Sequence, residues 1–247
     1  MLNGKTALIT GGNSGIGLAT AKNLRAEGAR VAITGTDADK LEAARQEIGN
    51  DTLAIRADVR SIADLKAMAK TVGTTFGKLD ILFANAGVAY GTPIDTTDEE
   101  SYNRLMDINV KGVFFTVQSV LPIMADGGSV ILNTSWLGQV GTPGRAALSA
   151  SKAAVRSFTR VLAAELVDRK IRVNAVSPGP IDTPIHRAPG QTEEEFRVYA
   201  EKLGARVPAG RMGKPEEIAA AVAFLAGDKS SYMLGAEIAV DGGLGEI

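Results

Sequence analysis

A compact apolar run, Thr6 to Thr10, leads directly into Gly11-Gly12-Asn13-Ser14-Gly15-Ile16-Gly17, and a helical pattern starts at Gly15 and continues to Ala26. This junction constrains the chain more than any other feature. Glycine at 11 permits a sharp turn, glycine at 15 lets backbone approach a pyrophosphate, and glycine at 17 lets the helix pack closely on the sheet. The start of the helix offers free amides and the positive end of its dipole, which together suit phosphate. Gly28 is placed to cap the helix at its far end.

The same rhythm repeats along the chain. Short apolar runs predict strands over 31–34, 53–57, 79–84, 129–134, 171–176 and 237–240. Between them, helical spacing predicts helices over 39–48, 61–76, 98–124, 148–168 and 216–226. Ser61 and Asp64 resemble a capping box, and Pro122 is expected to bend the long helix. The strands are nearly all apolar without clean alternation, as in strands covered on both faces. Strand and helix in alternation imply right-handed crossovers. The expected fold class is therefore α/β: one Rossmann-type domain over 1–247, a doubly wound parallel sheet with helices on both faces. A length of 247 residues suits one large domain, and no repeat or linker interrupts it.

Residues 188–204 break the rhythm with Pro189, Gly190 and three consecutive glutamates from Glu193. They follow the sixth strand and so project from the carboxyl edge of the sheet, where ligands of such sheets bind. A substrate lid is one reading, and a surface excursion without a role is the other.

Composition removes several chemistries. No cysteine is present, which excludes disulfides, thiolate metal sites and a cysteine nucleophile. His186 is the single histidine, so a multi-histidine metal centre is excluded and no metal site is expected. With 27 basic and 28 acidic residues the net charge is −1, which gives no field to draw nucleic acid or anionic membrane. No signal peptide pattern opens the chain, and no run of about 18 apolar residues occurs. A cytoplasmic protein without nucleic-acid or membrane partners is expected.

The motifs together resemble the short-chain dehydrogenase/reductase family, of the bacterial carbonyl-reductase type, over essentially the whole length. Thr10 to Gly17 matches its cofactor signature, and Asp58-Val59 its adenine-contacting pair. Asn85-Ala86-Gly87 matches the motif after the fourth strand. Asn109 in Asp107-Ile108-Asn109-Val110 matches the asparagine of the active site, and Ser135 the catalytic serine. Pro178-Gly179-Pro180-Ile181-Asp182-Thr183 is like the segment that embraces the nicotinamide. Arg211 to Ile218 and Val240-Asp241-Gly242-Gly243 resemble the usual C-terminal landmarks.

The resemblance implies an NAD(P)-dependent oxidoreductase that transfers hydride between nicotinamide and a small carbonyl or alcohol substrate. It implies cofactor binding by Gly11, Asn13, Ser14, Gly15, Ile16, Gly17, Thr36, Asp58, Val59, Asn85, Ala86, Gly87, Lys152, Pro178, Gly179, Ile181 and Thr183. It implies catalytic roles for Asn109, Ser135 and Lys152. It also implies a homotetramer built on the two long helices around Asn109 and Lys152 and on the last strand.

An acid at the end of the second strand would bind the ribose hydroxyls of NAD and repel the extra phosphate of NADP. Gly35 and Thr36 stand there instead, Thr36 and Ser14 can donate to a phosphate, and NADP(H) is expected over NAD(H). Asp37 and Asp39 lie further along and read as turn and helix-start residues.

The family's general acid is a tyrosine four residues before the lysine, on the same face of one helix. The lysine is Lys152, and the tyrosine position holds Leu148, which has no proton to donate. The flanking Ser149-Ala150-Ser151-Lys152-Ala153-Ala154-Val155 follows the family pattern. Replacement donors are Ser135, Lys152 through water, Tyr90 beyond the Asn-Ala-Gly motif, and His186, whose ordinary pKa near 6.5 suits proton transfer. Tyr102, Tyr199 and Tyr232 are placed less well. His186 also reads as a solvent-exposed loop residue, and Tyr90 as packing on the sheet edge. Trp136 reads as a pocket wall or as ordinary packing, and Arg145 as a partner for an anionic substrate or for a neighbouring subunit's acid. The alternative to an enzyme with an atypical proton donor is a catalytically impaired NADP(H)-binding protein with a sensor or structural role.

Overall fold

The structure, a computed structural model, describes residues 2–187 and 190–247. Seven parallel strands form one sheet in the order β3-β2-β1-β4-β5-β6-β7. They are β1 (Thr6–Ile9), β2 (Arg30–Gly35), β3 (Leu53–Arg56), β4 (Leu79–Ala84), β5 (Met124–Asn133), β6 (Arg172–Pro178) and β7 (Glu237–Val240). The helices are α1 (Gly15–Ala26), α2 (Ala38–Ile48), α3 (Ile62–Phe76), α4 (Glu99–Met106), α5 (Gly112–Val120), α6 (Ala146–Glu165), α7 (Glu193–Gly204) and α8 (Pro215–Ala226).

Both faces of the sheet are covered, as the apolar strands require. Ala7 and Ile9 of β1, with Ile81 and Phe83 of β4, pack on Leu24, Leu41, Ile218 and Val222 from α1, α2 and α8. Leu8 and Leu82, pointing the opposite way, pack on Leu65, Met68, Val113 and Val155 from α3, α5 and α6. Strand order reverses between β1 and β4, so their carboxyl ends open the crevice where such sheets bind ligands.

The continuous helix expected over 98–124 is a series of pieces. α4 ends in a π-helical turn, Asp107–Lys111, before α5 begins, and Pro122 sits in a 3-10 turn, Leu121–Ile123. Proline lacks the amide that a continuing helix needs, and the chain turns at Met124 straight into β5. Asp37 caps α2 by accepting from the amides of Asp39 and Lys40, as its sequence position implies. The 188–204 stretch contains a regular helix, α7, opened by a capping box between Thr192 and Glu195. Ala188 and Pro189, the first residues of the expected lid, lie outside the described residues.

Candidate active site

The turn from β1 into α1 takes left-handed backbone at Gly11 (φ 63°) and Gly15 (φ 51°), where a side chain would be strained. A Cβ at Gly17 would stand 2.2 Å from the Gly11 carbonyl oxygen, so this glycine sets the close approach of helix to turn. Asn85 locks the turn in place. Its carboxamide nitrogen donates to the Thr10 carbonyl (3.0 Å), while the Thr10 hydroxyl accepts from the amides of Asn85 (3.0 Å) and Ala86 (3.1 Å). Ser14 precedes α1 with extended backbone and makes no side-chain cap bond, which leaves its hydroxyl available beside the helix amides.

A cleft of about 400 Å³ opens over this turn. It is lined by Gly11, Asn13, Ser14, Gly15, Ile16, Thr36, Asp58, Val59, Asn85, Ala86, Gly87, Lys152 and Thr183, all singled out from the sequence. The Asn13 side chain lies over Gly35, where an added Cβ would meet its carboxamide at 2.8 Å. Arg60 grips the Asp58 carboxylate (Nη2 to Oδ2, 2.6 Å) and holds its pKa below the usual carboxylate range.

A second cleft, of about 420 Å³, contains Ser135, Trp136, Leu148, Tyr90, His186, Pro178, Gly179 and Ile181. The two clefts meet: Ile16, Ala89, Asn133, Lys152, Thr183 and Ile185 line both. Pro178, Gly179 and Ile181 thus belong to the second cleft, and Gly17 lies in the packed helix start. Lys152 Nζ donates to the Asn133 carbonyl at 2.9 Å. Burial removes water from the ammonium and pulls its pKa down to about 8. Leu148 stands one helical turn earlier, 2% exposed. Ser135 Oγ accepts from the Leu137 amide at 3.3 Å, which leaves its proton free to be donated.

Asn109 sits in the π-helical turn and is 1% exposed. Its carboxamide donates to the Val88 carbonyl (2.9 Å) and Ser151 Oγ (3.3 Å) and accepts from the Val88 amide (2.9 Å). It positions the Gly87–Val88 segment and α6. A Cβ at Gly87 would lie 3.2 Å from Asn109 Oδ1 and 3.9 Å from Lys152 Nζ.

Tyr90 and His186 are weakened as proton donors by their surroundings. Tyr90 Oη donates to the Ser101 carbonyl at 2.7 Å, and desolvation raises its pKa. His186 is pushed below its usual pKa first by burial and then by the Arg145 charge, so at neutral pH it carries no extra proton. Asn133 was missed in the sequence, although a polar residue ending an apolar strand is a visible signal. Its Oδ1 is buried without a hydrogen-bond partner at the junction of the clefts. Arg60, Arg104 and Ile108 in the first cleft, and Leu203, Arg206 and Leu244 in the second, were also missed.

The family model described as enoyl-(acyl carrier protein) reductase matches residues 11–245. The chain is 42% identical to oxidoreductase asL5 of Sarocladium schorii, over all of this chain and 98% of that protein. Among solved structures it is similar to the 3-ketoacyl-(acyl-carrier-protein) reductase of Brucella melitensis complexed with NADH, with a TM-score of 0.91 at 33% identity, covering 99% of this chain and 100% of that one. It is also similar to a blue fluorescent protein from a metagenomic library in complex with NADPH, with a TM-score of 0.89 at 36% identity, covering 98% of both chains.

Proposed function

The chain belongs to the short-chain dehydrogenase/reductase family, and on that premise we propose that it is an NADP(H)-dependent oxidoreductase interconverting a carbonyl compound and its alcohol. One observation carries this reading: the glycine-turn cleft and the cleft holding Ser135 are adjacent and share a wall that includes Lys152.

The residues present suit a dinucleotide. The turn at Gly11–Gly17 packs its backbone tightly against neighbouring segments at Gly11, Gly15 and Gly17, which supports a phosphate-binding turn, and the start of α1 supplies amides for it. Asn133 Oδ1, a buried acceptor without a partner, suits a ribose or carboxamide donor at the junction. Gly35 and Thr36 present no carboxylate against an added phosphate, which supports NADP(H). When bound, the nicotinamide supplies or accepts the hydride.

Ser135 orients the substrate by donating its free proton to the carbonyl oxygen. Leu148 presents apolar surface to the cleft and has no proton to give. The reduction needs one proton, and Lys152 is the group suited to provide it, directly or through a water. With a pKa near 8 its ammonium is mostly protonated at neutral pH and yields the proton far more readily than an ordinary lysine. α7 supplies Tyr199 and Leu203 to the outer wall of the second cleft, which supports a lid role for the segment. Phe114 (37% exposed) and Val161 (52% exposed), on α5 and α6, support burial of these helices against other copies of the chain in a homotetramer.

The buried Leu148 favours a second reading, a protein that binds NADP(H) with little turnover. An assay of NADPH and NADH oxidation across aldehydes and ketones separates the two. Carbonyl-dependent oxidation, faster with NADPH, supports the enzyme. Tight NADPH binding with no turnover supports the alternative.

A further inference from the structure

We propose that the second cleft takes an anionic substrate, a ketone or aldehyde that also carries a carboxylate, and that Arg145 and Arg206 hold this carboxylate. The inference rests on the oxidoreductase reading for the reacting carbonyl, but the carboxylate site is tested separately from turnover.

The second cleft is lined by Arg145, Lys152, His186, Arg187 and Arg206, and by no aspartate or glutamate among the described residues. Arg187 is already engaged by Glu193 and stacks over the Phe196 ring at 4.1 Å. Lys152 is tied to the Asn133 carbonyl. Among the described residues, neither Arg145 nor Arg206 has an ion-pair partner. Arg206, shortly after α7, is exposed where it lines the cleft.

Arg145 is half-buried, so its charge is partly withdrawn from water without compensation. It also precedes α6, a 20-residue helix with no acidic residue in its first turn, so the helix dipole adds to the positive potential there. The Arg145 charge reaches across the cleft to His186, where it opposes protonation. Asp182 acts on His186 in the opposite sense but does not line the cleft.

The remaining wall sets the body of the molecule. Trp136, Leu148, Ile181, Leu203 and Leu244 present apolar surface. A cleft of this size and mixture fits a small organic molecule with one charged end. Arg145 stands at the N-cap of α6 and Lys152 two turns into the helix, about 10 Å apart along its axis. We therefore test it with a keto acid whose carboxylate is several bonds from the carbonyl, which can span from Arg145 to the Lys152 end of the cleft.

Trp136 is the only tryptophan of the chain and lines this cleft, so its fluorescence reads binding without chemistry. The probes are benzoylbutyrate and its uncharged methyl ester, titrated into the full chain saturated with NADP⁺. The acid is expected to quench Trp136 with a Kd about tenfold or more below that of the ester, the range of hydrogen bonds to charged groups. Arg145→Gln and Arg206→Gln should each reduce that preference while the ester binds as before, which also shows that the cleft is intact. Equal affinity for acid and ester, no quenching by the acid, or a preference that survives both substitutions overturns the proposal. Carboxylate-selective binding without any turnover upholds the anion site and counts against the oxidoreductase reading. Rapid reduction of the ester with no advantage for the acid does the reverse.

Discussion

Leu148 stands one helical turn before Lys152 on α6, and both side chains line the cleft that contains Ser135. Leu148→Tyr would place a phenol beside the lysine ammonium, which lowers the phenol pKa and makes a general acid. Carbonyl reduction should rise by about 10²-fold, the usual scale of such catalysis. The measurement is kcat/KM for reduction of one ketone by the parent and the variant. A change below about threefold would mean that Lys152 already supplies the proton efficiently, or that the ring crowds the cleft.

Lys152, with a pKa lowered to about 8 by burial, should impose a pH dependence on reduction. Below that value the ammonium has a proton to give, and above it the neutral amine has none. The rate of carbonyl reduction is therefore expected to be flat toward neutral pH and to fall as pH rises through about 8. Lys152→Met should abolish this titration along with most activity. His186→Ala should leave it in place, because burial and Arg145 already keep that imidazole neutral at neutral pH. A pH profile lost in His186→Ala and kept in Lys152→Met would reverse the assignment.

Cofactor choice is tested at Gly35. A Cβ there meets the Asn13 carboxamide at 2.8 Å, so an acid at this position needs Asn13 to move. The double variant Gly35→Asp with Asn13→Ala removes that conflict. It should lose the thermal stabilisation given by NADPH and gain stabilisation by NADH, because the carboxylate repels the added phosphate and accepts from ribose hydroxyls. Stronger stabilisation of the parent chain by NADH than by NADPH would contradict the NADP(H) assignment directly.

Asn109 is a positioning residue, and its removal should appear in stability before chemistry. Asn109→Ala leaves the Val88 amide and carbonyl without their partner inside the fold. A loss of about 3 kcal/mol is expected, from unsatisfied groups that each cost about 1–3 kcal/mol. Urea unfolding of the parent and variant measures it, and a loss under about 1 kcal/mol would mean that water replaces the carboxamide.

Assembly can be read by light scattering. The proposed homotetramer, with the helices carrying Phe114 and Val161 and the last strand β7 as its contacts, predicts the mass of four chains at micromolar concentration. The mass of a single chain would exclude this arrangement.

The turn that lines the first cleft was legible because glycines carry its geometry. A left-handed turn, a close backbone approach and a helix start each demand glycine at a fixed spacing, and Gly11, Gly15 and Gly17 meet those demands. The layering of the sheet was equally legible, since strands covered on both faces must be apolar throughout. The π-helical turn at Asp107–Lys111 was not, because one extra residue within a helix hardly changes its hydrophobic spacing. Asn109 was expected in the site, but its hydrogen bonds to Val88 and Ser151 appear only when distant segments meet. The cationic lining was hidden for a similar reason. Arg145 and Arg206 are far apart in the chain, and the folding of α7 is what brings the segment after it to the same cleft as α6.

Catalysis without a phenol is tested most directly by ketone-dependent NADPH oxidation in the parent chain and in Lys152→Met, with cofactor binding followed in parallel. The expected result is slow but measurable turnover in the parent that collapses in Lys152→Met while NADPH still binds. No turnover of any aldehyde or ketone by the parent despite tight NADPH binding, or turnover unchanged in Lys152→Met, would contradict it.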